Sequence, residues 1–268
     1  MSTTLAQGPL PVGELLRQWR ERRRLSQLEL SNRAEVSTRH LSFVETGRSA
    51  PSRDMVLLLA DQLEVPLRER NRLLLAAGYA PVYSETALDA PEMLAVRTAV
   101  RQVLTGHEPW PAAVVDRGWN LVDANAGMAL FTASVSPHLL AAPANVLRVS
   151  LHPEGMAPHI VNLGEWRAHL LARVRRQIDI TGDPDLIALY RELRGYPCPH
   201  PEPHVELPGP GEIVVPLRVR HKGGELSFFS TVATFGTPLD VTLAELAIES
   251  FFPADANTAA VLRDGHRR

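Results

Sequence analysis

The sequence has a single cysteine among its 268 residues. One thiol excludes an intramolecular disulfide and fits a reducing compartment. Long apolar runs are missing as well: no stretch approaches the ~20 residues that a helix needs to cross a bilayer, so no membrane partner is expected. The first ten residues, MSTTLAQGPL, carry no basic cluster ahead of an apolar core, and no secretory leader is expected. Cytoplasmic localisation follows by default.

The residue patterns of common catalytic centres are also absent. There is no G-x-S-x-G elbow, no Gly-rich phosphate loop and no H-E-x-x-H helix. No enzyme activity, catalytic residue or cofactor is therefore expected. Cys198, His200 and His204 fall in the Pro-rich segment YPCPHPEPHVELPGPG, residues 196–211. With His152 as a fourth ligand, that spacing would suit Zn²⁺. Structural zinc sites favour paired C-x-x-C ligands, however, and the segment reads as an exposed loop without metal.

What is present is a globular composition, 45% hydrophobic and 22% charged, long enough for two domains of ordinary size. Charge is unevenly spread. Residues 1–80 hold 12 Arg, no Lys and 9 acidic residues, a balance of +3, and residues 81–268 carry −5. A basic module on an acidic body suits a polyanionic partner at one end only.

The basic module contains SQLELSNRAEVSTRHLSFVETG, residues 26–47. Ser26 and Glu29 form a capping box that starts one helix. Ser37 is placed to cap the next, and a sharp turn at Glu35–Val36 separates the two. Two short capped helices with a polar outer face on the second follow the plan of a helix-turn-helix. Apolar spacing extends this to five helices within residues 10–80. Leu15, Leu16, Trp19 and Leu25 face inward from the first. Pro51-Ser52 opens the fourth, Pro66 opens the fifth, and Gly78 stops it.

The same stretch resembles the phage-repressor type of helix-turn-helix, with Gln27, Ser31 and the Glu45-Thr46-Gly47 ending in the matching places. The usual turn glycine is Glu35 here, at a cost of roughly 1–2 kcal/mol if it is left-handed. The resemblance places Thr38, Arg39, Ser42 and Phe43 on the face that reads double-stranded DNA. Arg39 suits guanine O6 and N7, and Phe43 suits either a thymine methyl or the core. Gln27 at a helix start and Arg48 are expected at phosphates, and Ser37, the cap, is also expected at the DNA interface. Arg20 and Glu45 are expected to form a partly buried ion pair. Arg22, Arg23 and Arg24 read as a solvated helix end.

Residues 79–91 lose periodicity and read as a connection. The remainder, residues 92–265, reads as α+β. A helix covers 92–106, two short strands cover 111–125 around Arg117-Gly118, and a helix starts at Asn125. An amphipathic helix spans 162–179, and Asp183-Pro184 caps another. A hairpin in 211–236 turns at Lys222-Gly223-Gly224, and a third strand over Leu243–Phe252 is ambiguous with helix. The fold class expected is an all-α five-helix DNA-binding domain followed by a PAS-like α+β domain with an antiparallel sheet.

Four segments carry a wider resemblance: SFVETGRSAPSRDM (42–55), VVDRGWNLVDANAG (114–127), SLHPEGM (150–156) and FFSTVATFGTPLDVTLAELAIESFFPAD (228–255). On them the chain resembles the MmyB-like transcription regulators. That resemblance implies a homodimeric, nucleoid-associated transcription factor with a small, mostly apolar, fatty-acid-like ligand in its second domain. Candidate lining residues are Trp119, Leu121, Phe131, Trp166, Leu170, Phe228 and Phe235. Candidate polar contacts are Arg117, Asn125, His152 and Asn162, with Asn125 open to a helix-capping role instead. Two alternatives stand beside this reading: a DNA-binding protein with a protein-interaction module, and an enzyme with a DNA-binding appendage.

Overall fold

A computed structural model of the chain describes residues 10–199 and 215–266. His200 and His204, named for the zinc reading, lie outside the described residues. In chain order the helices α1 (Val12–Arg22), α2 (Gln27–Arg33), α3 (Thr38–Glu45), α4 (Arg53–Gln62) and α5 (Leu67–Ala76) come first. Then follow α6 (Leu94–Gly106), β1 (Ala112–Val115), β2 (Leu121–Ala124), α7 (Ala129–Thr132), α8 (Pro137–Leu140) and α9 (Val146–Leu151). The chain continues with α10 (Leu163–Thr181), α11 (Pro184–Gly195), β3 (Leu217–His221), β4 (Gly224–Thr234), α12 (Val241–Ala244), β5 (Ala247–Pro253) and α13 (Ala256–His266). Two compact units result: residues 1–86 with 238–244, and residues 87–237 with 245–268.

In the first unit the helices bury one stripe each. Leu16, Trp19, Leu30, Leu41, Val44 and Leu59 are at most 3% exposed, and each such side chain contributes roughly 1.5–3 kcal/mol by leaving water. Caps set where the helices begin. Ser26 accepts from Glu29 N while the Glu29 side chain accepts from Ser26 N, and Ser37 Oγ accepts from His40 N. One device sets where they end. Each of the five helices is followed by a residue at positive φ: Arg24, Glu35, Gly47, Glu64 and Gly78. The next amide then donates back to the last turn, as Leu25 N does to Arg20 O and Val36 N to Ser31 O. This closes carbonyls that the helix itself leaves unpaired. The left-handed Glu35 expected at the turn is present, at φ 54°.

A single glycine fixes how closely α1 approaches α3. A Cβ on Gly13 would lie 2.2 Å from the backbone oxygen of Val44, inside any allowed contact. The segment Pro238–Ala244 also belongs to this unit. Asp240 caps α12 through Thr242 N and Leu243 N, and its other oxygen accepts from Thr86 N at 3.0 Å. The expected third strand is therefore shorter than read. Its first residues are α12, and β5 starts only at Ala247, because Asp240 caps a helical turn there.

The second unit is built on a five-stranded antiparallel sheet ordered β2-β1-β5-β4-β3, a PAS-like arrangement. The β3–β4 hairpin turns at Lys222 and Gly223, with φ of 47° and 82°; two positive φ values match the right-handed twist of the strands. Strand alternation gives the sheet two different faces. Val114 and Ile248 face one way and are buried, with Val114 beside Val100 of α6. Ala113, Val115 and Phe251 face the other way, toward α10. In α10 the apolar positions Leu163, Trp166, Leu170, Leu171 and Val174 recur at helical spacing and are all at most 6% exposed.

Candidate nucleic-acid interface and ligand site

Among the residues expected to meet DNA, two sets separate. Gln27 and Thr38 are occupied inside the unit. Gln27 Nε2 donates to Glu45 Oε2 at 2.8 Å, and Thr38 Oγ1 shares a hydrogen bond with Ser31 Oγ at 2.8 Å. Ser37 serves as the N-cap of α3. By contrast, Arg39 and Arg48 are exposed, and Ser42 and Phe43 are half-buried. Phe43 stands outside the core cluster of this unit. Its ring centre lies 5.3 Å from the Arg39 guanidinium and 5.8 Å from that of Arg48. The exposed part of α3 is thus an aromatic ring flanked by two cations, which holds both arginines near one place on the helix.

The orientation of α3 is fixed from below. Glu45 receives Arg20 Nε at 2.7 Å and Arg20 Nη2 at 2.9 Å, a bidentate pair, with Arg20 Nη1 on Leu25 O. The carboxylate holds the Arg20 guanidinium above its ordinary pKa through these hydrogen bonds, against desolvation. Arg23 departs from the solvated helix end expected of it. Its guanidinium donates to Leu63 O and Glu64 O, where the unpaired carbonyls at the end of α4 attract a cation.

In the second unit the sheet and α10 line a cavity of about 70 Å³. Phe131, Trp166, Leu170 and Leu121 line it, as does Phe251 of β5. Trp119 and Phe228 are buried in the same cluster but do not reach the cavity wall. Trp119 is turned by its φ of 65° so that Nε1 donates to Gln177 Oε1 at 2.9 Å. Phe228 packs edge-on against Phe131, with ring centres 5.3 Å apart. Phe235 is also off the wall.

None of the polar candidates lines the cavity, and each has a structural occupation instead. Arg117 pairs with Asp183 at 3.0 Å. Asn125 is neither a side-chain cap nor a cavity residue. Its Oδ1 accepts from Ala112 N, and its Nδ2 donates to Leu104 O and Trp110 O, tying the end of α6 to β1. Asn162 donates to Pro216 O and accepts from Arg218 N, holding the edge strand. His152 accepts from Glu154 N through Nδ1 and meets the ring edges of His138 and Tyr196. His138, His152 and Glu154 bring one ligand atom each within 4.8 Å of the others, but that bond already engages one ring nitrogen of His152. Desolvation, followed by the Glu192 carboxylate, pushes the nearby Tyr196 hydroxyl up to about 12.

The polar groups that do reach the cavity were not singled out from the sequence. Ser150 Oγ accepts from Trp166 Nε1 at 3.0 Å. Glu249 lines the cavity at 7% exposure. Its Oε1 accepts from Arg173 Nη1 at 2.7 Å and from Ser230 Oγ at 3.1 Å. The available signal was one acid inside the apolar run AIESFFP of β5. A buried charge requires a partner, and Arg173 arrives from a helix far away in sequence.

His169 stacks on Trp166, with ring centres 5.4 Å apart. Burial, then the charge of Arg173, lowers its pKa below the ordinary histidine value. The unfolded state therefore binds the proton more readily. The stabilising contribution is present above about pH 6.5 and is lost as pH falls through that value toward the folded pKa. His169→Gln is expected to reduce the drop in thermal midpoint between pH 7.5 and pH 5.5. Equal drops in both proteins would show that His169 has no part in the acid sensitivity.

Comparison with protein families matches residues 96–264 to the MmyB-like transcription regulator ligand binding domain. Residues 11–73 match a helix-turn-helix domain. Comparison with curated proteins finds no match. No helix among the described residues is long and apolar enough to cross a membrane. The family match spans most of the chain and coincides with the PAS-like unit, while the second match coincides with the five helices. The chain therefore belongs to the MmyB-like transcription regulators, and is a DNA-binding transcription regulator with a ligand-binding domain.

Proposed function

We propose that the protein binds operator DNA as a homodimer in the cytoplasm, at the nucleoid, and that its second unit holds a small, mostly apolar ligand of fatty-acid type. The observation that carries the ligand reading is the apolar cavity between the sheet and α10, inside the domain that the family uses for ligands. Arg39, Ser42 and Phe43 read bases, and Arg48 holds phosphate, with Gln27, Ser37 and Thr38 setting the position of α3. Two copies reading half-sites about one helical turn apart supply useful affinity. A ligand that favours one dimer geometry shifts the population toward or away from the DNA-competent spacing. The chain offers a covalent route for this: β5 carries Glu249 and Phe251 of the cavity wall, and it follows directly on residues 238–244 of the DNA-binding unit.

One observation favours a second reading. A volume of about 70 Å³ corresponds to roughly two water molecules, so a long chain enters only if side chains yield. A module that binds another protein instead needs no cavity at all. Native mass spectrometry of the purified protein, followed by denaturing extraction, separates the two. The expected result is a dimer carrying extra mass that releases a fatty-acid-sized molecule. A dimer that stays at its apo mass even with added fatty acids would overturn the ligand reading and favour the interaction module.

A further inference from the structure

A second space adjoins the cavity. It is a surface groove of about 400 Å³ beside the β3–β4 hairpin, open to solvent. Its floor is apolar, with Leu130 and Val219, and its rim carries His159, Arg220, His221 and Lys222. Arg220 and Lys222 are exposed, and among the described residues the ion pairs leave both out. Arg220 donates to the Pro158 carbonyl oxygen at 3.0 Å, which holds the side chain in place while its charge stays available. No carboxylate of the described residues lines this groove.

Two residues belong to both walls: Phe131 and Met156 line the groove and the inner cavity alike. Both are nearly buried, at 4% and 7% exposure. Methionine is flexible and repacks readily. Phe131 meets Phe228 and Phe251 edge-on and packs within the apolar core of this unit. If these two side chains swing aside, groove and cavity become one space within the ~300–1,000 Å³ range of ligand pockets.

Charge sets which end of a ligand goes in. The inner end holds Glu249, whose Arg173 and Ser230 partners are already bound to it. An anionic head placed there would face a buried carboxylate. At the rim the same head meets Arg220 and Lys222. We infer that the groove beside the β3–β4 hairpin is the mouth of the ligand site, that it takes an alkyl chain ending in an anionic oxygen group, and that the chain passes Phe131 and Met156 tail first while Arg220 and Lys222 hold the head. This rests on the proposal that the second unit binds a fatty-acid-type ligand, and adds the residues that hold its head, the route and the orientation.

The test uses the full chain and isothermal titration at pH 7.5 with octanoate, octyl phosphate and octan-1-ol. The variant combines Arg220→Gln with Lys222→Asn, asparagine because position 222 has positive φ. Both side chains are exposed, so folding is expected to be kept, with the thermal midpoint as the check. The expected result is binding of octanoate or octyl phosphate weakened roughly tenfold or more, as loss of charge-assisted contacts implies, with octan-1-ol within about twofold of wild type. Whichever anion binds wild type more tightly identifies a carboxylate or a phosphate head. Equal affinity of wild type and variant for the anions, with octan-1-ol still bound, would overturn the mouth assignment alone. No binding of any of the three probes by wild type would overturn it together with the apolar-ligand reading. A second variant, Leu170→Phe, narrows the inner cavity and is expected to weaken all probes bound by wild type. Unchanged affinities in that variant would overturn the tail-first route.

Discussion

Replacing Glu45 by alanine is expected to destabilise the helix-turn-helix unit by about 3–5 kcal/mol. The Glu45 side chain is 1% exposed and that of Arg20 is 10% exposed. Three hydrogen bonds converge on the one carboxylate, two from Arg20 and one from Gln27. Removing it leaves two N–H groups of the Arg20 guanidinium and the Gln27 amide without their acceptor, while Leu25 O stays bonded and the Glu21 carboxylate stays 3.9 Å away. The cost is that of a buried charge losing its main partner, which exceeds the net worth of the pair itself. Two measurements check this. Hydrogen exchange of the α1 and α3 amides should show protection falling by the same free energy. The double variant Arg20→Met with Glu45→Leu should recover most of it, because apolar residues of similar volume remove both charges together. A single variant that loses less than about 1 kcal/mol would mean that the pair is solvated in solution.

Arg39→Ala is expected to weaken operator binding by roughly 5- to 150-fold per half-site, the value of about 1–3 kcal/mol for one bidentate arginine–guanine contact. In a dimer the two half-sites multiply, so the whole operator loses the square of that factor. The operator is first selected from random DNA with the full chain, and each variant is then titrated against it. Loss of Arg39 should relax preference at one base pair in each half-site. Arg48→Ala should behave differently, weakening all sequences alike and making the salt dependence shallower by about one unit of slope per half-site. Phe43 holds both guanidinium groups within 6 Å of its ring, so Phe43→Ala should produce part of both effects. An Arg39 variant with wild-type affinity and unchanged base preference would remove Arg39 from the reading face.

The first unit was legible in the sequence because its rules are local. A helix starts where Ser26, Ser37 and Ser52 offer an acceptor to an amide three residues on. It ends where a left-handed residue follows, and apolar residues at intervals of three and four mark its inner side. Even the unusual Glu35 could be placed, since the turn demands that conformation whatever residue occupies it. The β3–β4 hairpin was legible for the same reason, through Lys222-Gly223. Residues 243–246 were not, because apolar alternation there does not reveal that Val241 N donates to Ser84 O and Asp240 accepts from Thr86 N, bonds that bind residues 238–244 into the first unit.

The cavity shows the other limit. Sequence identified four of its lining residues, because large apolar side chains on a sheet and on the facing helix have few places to go. It did not identify the polar ones. Arg117, Asn125 and Asn162 had the right chemistry, but hydrogen bonds within the fold occupy all three. Those bonds go to Asp183, Leu104 and Pro216, each more than fifteen residues away in the chain. Glu249 and Ser150 took the polar positions because strand parity and the pitch of neighbouring elements turned them inward. Local spacing and capping thus determined the helices, the turn and the hairpin from the sequence alone. Which polar atoms face the interior, and which are consumed in holding it together, was decided only by the tertiary structure, because a hydrogen bond depends on where its partner lies in space rather than along the chain.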